Sequence, residues 1–455
     1  MSGTFSSLSN ALSALRYNRV AMDVASGNVA NAGTAGYARR AAVAQATGAP
    51  AELALWSRWE GAGDGVQVGG IDRMVDPLLD ARARSEHAAR SFLDARATSL
   101  VRFETTIGEP GDGGVAAALA AFKQGWHDVA NNPGDGAARS QLLGRAETLR
   151  STIAAQGRAV STEWTDQRTR LTAVATETNE LAAGLAKINE GLRISHVSGT
   201  DAGVLLDQRD QLTLRLAELT GATVTVNEDT TVDVRVEGQV LVAGNAATPV
   251  TVSGSADLAG AGTDPVRVSV GGTAVTLRGG ELGAAQDLLT GALPDYLTRL
   301  DAVVADLAAA VNAQHAQGAD LDGAAGTAFF TGSTAATLQV AVTDPRAVAA
   351  ADPAKGMLDG SNADLLGTLG LAAGAYRSLV TDFGVAVSSA RRVAENQTIL
   401  TAQVDASREA LSGINVDEEM VNLLAAQRAY EGAARVLTTL DSVLDTLINR
   451  TGLMR

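Results

Sequence analysis

Four histidines, His87, His127, His196 and His315, are the residues best suited to metal binding or proton transfer, and they stand far apart in the chain. None belongs to an H-E-x-x-H pair, whose spacing puts two imidazoles on one helix face around zinc. They read as ordinary surface or interface residues. "DLDG" (320–323) begins like a calcium loop, but such a loop needs a glutamate at its twelfth position. Counting from Asp320, that position is Thr331, so the segment reads as a turn. "GDGG" (111–114) lacks the G-K-[ST] of a phosphate loop. "LLDQRDQL" (205–212) sets Asp207 and Asp210 three apart on a helix with Arg209 beside them, which reads as ion pairing on a solvated face. No serine or threonine stands in a recognisable nucleophile motif with a histidine as its base. Cysteine is absent, which excludes disulfides, thiolate nucleophiles and Cys-ligated metals. Neither catalysis, nor a cofactor, nor a metal is expected.

With 455 residues the chain has room for about three domains. Its apolar fraction of 46% is that of a globular protein, yet only 4% is aromatic. Alanine, leucine and valine must therefore fill most of the core, as suits closely packed helices. Acidic residues outnumber basic ones 51 to 36, for a net charge of −15. No basic stretch could track a phosphate backbone or an anionic bilayer, so nucleic acid and membrane surfaces are not expected partners. The N-terminus has neither the basic nor the apolar region of a cleaved secretory signal. No apolar run is long enough to span a bilayer.

The elements that would position any site are mostly helices. Phe5, Leu8, Leu12, Leu15, Arg19, Met22, Ser26 and Val29 step by three and four, a helical seam at period 3.5. A helix starts at Pro77 and breaks at "GEPGDGG" (108–114), and a shorter one ends at "NNPGDG" (131–136). From Leu143 to Leu192 the same stepping predicts one helix about 75 Å long, a rod. Past Gly221 the period becomes 2: "TVTVNEDTTVDVRVEGQVLV" (223–242), "PVTVSG" (249–254) and "PVRVSVGGTAVTL" (265–277) predict a compact antiparallel β unit. "GG" at 271–272 is its hairpin turn. Helix resumes from about 281 and again from Tyr376 to Leu411 on a seam through Val393 and Leu400. A last helix runs past Gly413.

The fold class is therefore mainly α with an inserted β domain: a long coiled-coil-like bundle built from both termini, plus a small antiparallel unit. Neither terminal seam can bury itself, and pairing them is the economical solution. The expected division is 1–38 with 414–455, 39–221 with 281–413, and a peripheral β insertion at 222–280, bounded by glycines. Three function classes remain: a self-assembling structural protein, an extracellular binding or adhesion module acting through the β unit, and an enzyme whose site is not visible.

The two ends decide among them. "LSNALSALRYNRVAMDVASGNVANAGTAGYARR" resembles the N-terminal signature of bacterial flagellar rod, hook and hook-associated axial proteins. The matching positions are "AMDV" (21–24) and Asn28, Ala30, Asn31, Thr34, Gly36 and Tyr37. "GINVDEEMVNLLAAQRAYEGAARVLTTLDSVLDTLIN" (413–449) resembles the C-terminus of the same family, and internal segments such as "LLDQRDQLTLRLAEL" agree with its hook-associated members.

The resemblance implies a structural subunit placed between hook and filament, self-assembling into a ring or helical array. Its first and last helices would form one axial coiled-coil layer. The implied assembly positions are Leu8, Leu12, Leu15, Met22 and Val29 in the first helix, and Met420, Leu423, Tyr430, Leu437, Leu444 and Ile448 in the last. Asn31, Gly36 and Tyr37 would shape the exit from the layer. Gly33 and Gly36 would take positive φ, Asn31 and Thr34 would cap the helix end, and Tyr37 would anchor the turn. Implied partners are the hook protein, hook-associated protein 3 and a cytoplasmic export chaperone on the C-terminal helix. The implied destination is extracellular, reached through the flagellar type III apparatus without a cleaved signal. Hook-associated protein 3 or a flagellin-like subunit is the alternative within the class.

Overall fold

A computed structural model describes residues 2–47 and 65–446. Helix α1 (Ser2–Ala30) is followed by a hairpin of β1 (Arg40–Ala46) and β2 (Val66–Arg73). Then come α2 (Pro77–Ile107), α3 (Val115–Asn131), the rod α4 (Gly136–Ser198) and α5 (Gly203–Thr220). Asp76 caps α2, accepting hydrogen bonds from the amides of Leu78 and Leu79, with Pro77 in the first turn. α4 has 63 residues, about 95 Å at 1.5 Å per residue. Helix α2 lies antiparallel to it: Arg102 bonds Glu163, and Gln167 bonds Ser99.

The expected single helix from 281 is interrupted. It is α6 (Gly280–Asp287), one π turn at Leu288–Ala292, and α7 (Leu293–His315). Pro294 has no N–H to give the carbonyl one turn back, so the ladder slips there. The Leu293 amide reaches Leu288 O, and the buried Trp164 indole N–H takes Leu289 O at 3.0 Å. A short α8 (Ser361–Thr368), not foreseen from the sequence, precedes α9 (Leu371–Ser412), which lies antiparallel to α2; α10 (Val416–Asp445) closes the described chain.

In α9 the buried stripe changes phase after Phe383. Val387, Ala390, Ala394, Thr401 and Val404 face the core, whereas Val393 and Leu400 of the expected seam are exposed. A strict 3.5 repeat drifts on a 3.6-residue helix, and adjacent apolar residues on both stripes hid the drift.

The β unit comprises β3 (Thr223–Val226), β4 (Val232–Val236), β5 (Gln239–Ala243) and β6 (Ala246–Ala247) in one antiparallel sheet. β7 (Val250–Ser253), β8 (Arg267–Val270) and β9 (Thr273–Val275) form a second. Gly271 and Gly272 form the β8–β9 turn with φ of 59° and 83°. The unit does not hang from the rod. Val232, Val234, Val242 and Val250 share one core with Leu171, Ala182 and Leu185 of α4. Asn179 bonds both backbone groups of Val250, and the buried Asn189 bonds those of Val232 and also Gly244 O. Gly221 and Gly280 stand at its root with φ of 71° and 69°. A Cβ on Gly280 would lie 2.5 Å from the Leu219 carbonyl carbon, so the end of α5 and the start of α6 meet backbone to backbone at the root of the unit.

Candidate assembly interface

The first helix ends through its own side chains. Asn31 Nδ2 donates to Gly27 O at 2.8 Å, and Thr34 Oγ1 donates to Asn31 Oδ1 at 3.3 Å, covering groups that a helix end leaves open. Backbone turns from Thr34 N to Asn31 O and from Tyr37 N to Thr34 O continue the reversal. Gly36 alone takes the left-handed conformation, at φ 77°; Gly33, expected to share it, does not. The chain therefore folds back, and Tyr37 returns to the helix it has just left.

What it returns to is Asn28, which is fully buried. Asn28 Oδ1 accepts from Tyr37 Oη and from Arg40 N, both at 3.1 Å. Its Nδ2 donates to Arg40 O and to Glu419 Oε2, both at 2.8 Å. All four hydrogen-bonding capacities of the amide are used. Glu419, 2% exposed, lies in the first turn of α10, where a carboxylate is favoured by the helix dipole. Its other oxygen accepts from Arg39 Nε at 2.8 Å. Asn415 caps that helix, accepting from the amide of Asp417. The Arg39 amide donates to Ser412 O at the end of α9. One polar knot thus joins both ends of the described chain across almost 400 positions, and α1 runs antiparallel along α10 in the most extensive helix pair among the described residues.

A second cluster ties this pair to the rod. Arg40 and Arg73 of the hairpin both grip Asp207, at 2.9 and 2.7 Å, and Arg73 also reaches Asp210 at 2.9 Å. Arg209 bonds Asp210 and donates to Thr230 O at 2.6 Å. Asp207 and Arg209 are buried, so the ion pairs foreseen in "LLDQRDQL" exist but not on a solvated face. They belong to a dry neck between hairpin and α5. A Cβ on Gly36 would collide with the Gln211 side chain, which donates to Ala35 O, so the α1 exit also touches α5.

The expected apolar positions are less covered than this polar knot. Leu8, Leu15, Met22 and Val29 of α1, and Leu423, Leu437 and Leu444 of α10, are half-buried. Leu12 and Met420 are each 43% exposed, and Tyr430 is exposed as well. Ile448 lies outside the described residues. The fully covered positions between the helices are small or polar: Ala11, Ala25, Asn28, Glu419 and Ala426. An open cleft of about 390 Å³ remains among α1, the hairpin and α10, lined by Tyr17, Asn18, Ala21, Asn422 and Ala429. Val421, Leu424, Val436 and Val443 add to the exposed apolar surface of α10.

Asn28 stands in the sequence motif and Asp207 among the expected ion pairs, whereas no sequence motif singles out Glu419, Arg39 or Arg40. A carboxylate three residues into the last helix was the available signal. The histidines scatter as expected in chain position but not in burial. His315 is fully buried, its Nδ1 at 2.6 Å from Thr327 O and its Nε2 accepting from Ala349 N, and burial pushes its pKa down. It is a neutral core residue rather than a surface one. Asp320 caps a turn, accepting from the amides of Asp322 and Ala324.

A helical rod with a β unit packed into its core, closed at one end by paired termini, can be set beside known proteins. Residues 100–330, just over half of the chain, match the family model described as "Flagellar hook-associated protein FlgK helical domain". The chain belongs to the FlgK family of flagellar hook-associated proteins. Residues 409–450 also match the C-terminal model of the flagellar basal body rod proteins. Flagellar hook-associated protein 1 of Bacillus subtilis is 26% identical, covering 99% of each chain. That of Escherichia coli is 24% identical, covering 97% of this chain and 99% of its own. The hook junction protein FlgK of Burkholderia pseudomallei has a similar fold, with a TM-score of 0.66 and 18% identity over 73% of this chain and all of its own. The family is a structural one of the flagellum. No described helix is long and apolar enough to cross a membrane.

Proposed function

We propose that this chain is a subunit of the hook–filament junction and assembles through the open face of the α1–α10 pair. The observation that carries the reading is the knot of Asn28, Glu419 and Arg39. It fixes the two chain ends to each other while leaving Leu12, Met420, Val421 and Leu424 in solvent. Each such side chain contributes about 1.5–3 kcal/mol when a neighbour covers it. Relatives matched across nearly the whole chain carry the name hook-associated protein 1, which supports the junction over hook-associated protein 3 or a flagellin-like subunit.

In this reading residues 1–38 with 414–455 form the axial layer, 39–221 with 281–413 the helical rod, and 222–280 the inserted β domain. Self-assembly is the principal contact, with the hook protein below and hook-associated protein 3 above. Before export a cytoplasmic chaperone covers α10, whose exposed valines and leucines need shielding. The assembled subunit is extracellular and uses no catalysis.

The test is the double variant V421D/L424D in a strain lacking the native gene. Both side chains point to solvent, so the subunit folds; with its secretion measured alongside and the secreted variant supplied at wild-type level, electron microscopy shows hooks without filaments. Normal filaments at wild-type secretion levels would refute the assembly face.

A further inference from the structure

The neck between hairpin, α2, α5 and α9 carries more positive charge than it neutralises. Arg40, Arg73, Arg209 and Arg408 are each ion-paired, with Asp207, Asp210 or Asp80. A fifth arginine, Arg84 on α2, is only partly exposed and has no hydrogen-bond or ion-pair partner among the described residues. The surrounding charges are Asp80, Asp210, Arg209 and Arg408, and burial lowers its pKa. Arg84 lines an open cleft of about 490 Å³ between α2 and the root of the β unit. Across the cleft stand Arg278, whose guanidinium is also unpaired among the described residues, and Thr223; Ser85 lies beside Arg84. The one acidic side chain in the lining, Glu237, is already engaged by the Arg278 amide at 3.0 Å.

Two unpaired guanidiniums in one cleft are unexpected in a chain with a net charge of −15. An unpaired, partly desolvated charge is costly, and a planar guanidinium matches a carboxylate through two parallel hydrogen bonds. Low-dielectric walls strengthen that attraction, and the volume admits a carboxylate with a short aliphatic stem. We propose that this cleft is a carboxylate-binding site, with Arg84 as its principal ligand and Arg278 at its mouth. The carboxylate comes either from an acidic side chain of a neighbouring copy or from a free dicarboxylate. The site itself does not depend on the assembly reading.

Glutarate is the probe, titrated into the dispersed full-length chain at constant ionic strength and followed by calorimetry. Saturable binding is expected in the wild type, weakened about tenfold or more in Arg84→Gln and less in Arg278→Gln. The exposed Arg193→Gln variant binds as wild type. No saturable binding, or equal binding by both cleft variants, overturns the site; because Arg278 is exposed, its variant remains informative even if Arg84→Gln folds poorly. The two sources separate in an assembly assay. Inhibition by saturating glutarate, matched by weaker assembly of Arg84→Gln, assigns the site to a neighbouring copy. Assembly indifferent to both assigns it to a free solute.

Discussion

The rod and the terminal pair solve the same packing problem with opposite materials. In the rod, Trp126, Trp164, Phe103, Leu142, Leu149 and Ile153 are almost wholly covered; the Trp164 indole donates to Leu289 O and Tyr296 Oη accepts from Gln156, while Trp126 Nε1 has no partner among the described residues. In the terminal pair the covered residues are alanines, one asparagine and one glutamate, and the large apolar residues are half open. A region that hides its leucines is complete by itself. A region that hides its polar residues and shows its leucines has its geometry set and its burial unfinished. The neck of Arg40, Arg73, Asp207 and Asp210 is where the complete part holds the incomplete one in place.

The comparison breaks most visibly in the rod. Trp164→Ala removes a fully buried ring and its bond to Leu289 O, and should cost about 3–5 kcal/mol. Calorimetry should show the main unfolding transition moving down by many degrees. Glu419→Ala should leave that transition in place. It strands the Asn28 amide and the Arg39 guanidinium, a local loss of about 2 kcal/mol. Hydrogen exchange should quicken in α1 and α10 and stay unchanged in α4; a lowered main transition would show that the two regions are one cooperative unit.

Gly36→Ala is smaller again. A side chain at φ 77° costs about 1–2 kcal/mol and displaces Gln211. Faster exchange should be confined to residues near the α1 exit.

The least effect concerns pH. His87 on α2 faces Glu218 of α5 at 3.1 Å and Asp405 of α9 at 2.9 Å, with Arg215 bonded to the same Glu218 and Arg90 and Asp94 nearby on α2. The hydrogen bond to Glu218, more than burial, leaves its pKa raised above 6.5. Its contribution is therefore full below the unfolded value and fades as pH rises through the folded one. The Glu218 carboxyl, held down chiefly by His87, gives a contribution that is lost at the acid end. The gap in melting temperature between wild type and His87→Gln should narrow on going from about pH 6 to about pH 9. A constant gap would mean that His87 binds its proton equally in the folded and the unfolded chain.

The elements were readable because long helices repeat their pattern many times. The α1 seam, the Pro77 start, the rod and the glycine turn at 271–272 each had a local cause. The phase of α9 was not readable, because Ala386 with Val387, Val393 with Ala394 and Leu400 with Thr401 offer two stripes of similar hydrophobicity. The polar knot was half readable. Asn28 stood in the motif, but pairing it with Glu419 needs a contact across 391 positions that no periodicity encodes. The neck was misread as solvated because Arg40 and Arg73, its other half, lie more than 130 residues away.

Hydrogen exchange of the wild-type chain, dispersed and then assembled, tests the division most directly. The dispersed chain should exchange slowly through α2, α4, α7 and α9 and fast through α1 and α10, and assembly should slow α1 and α10 alone. Terminal helices as slow as α4 in the dispersed chain, or unchanged by assembly, would contradict it.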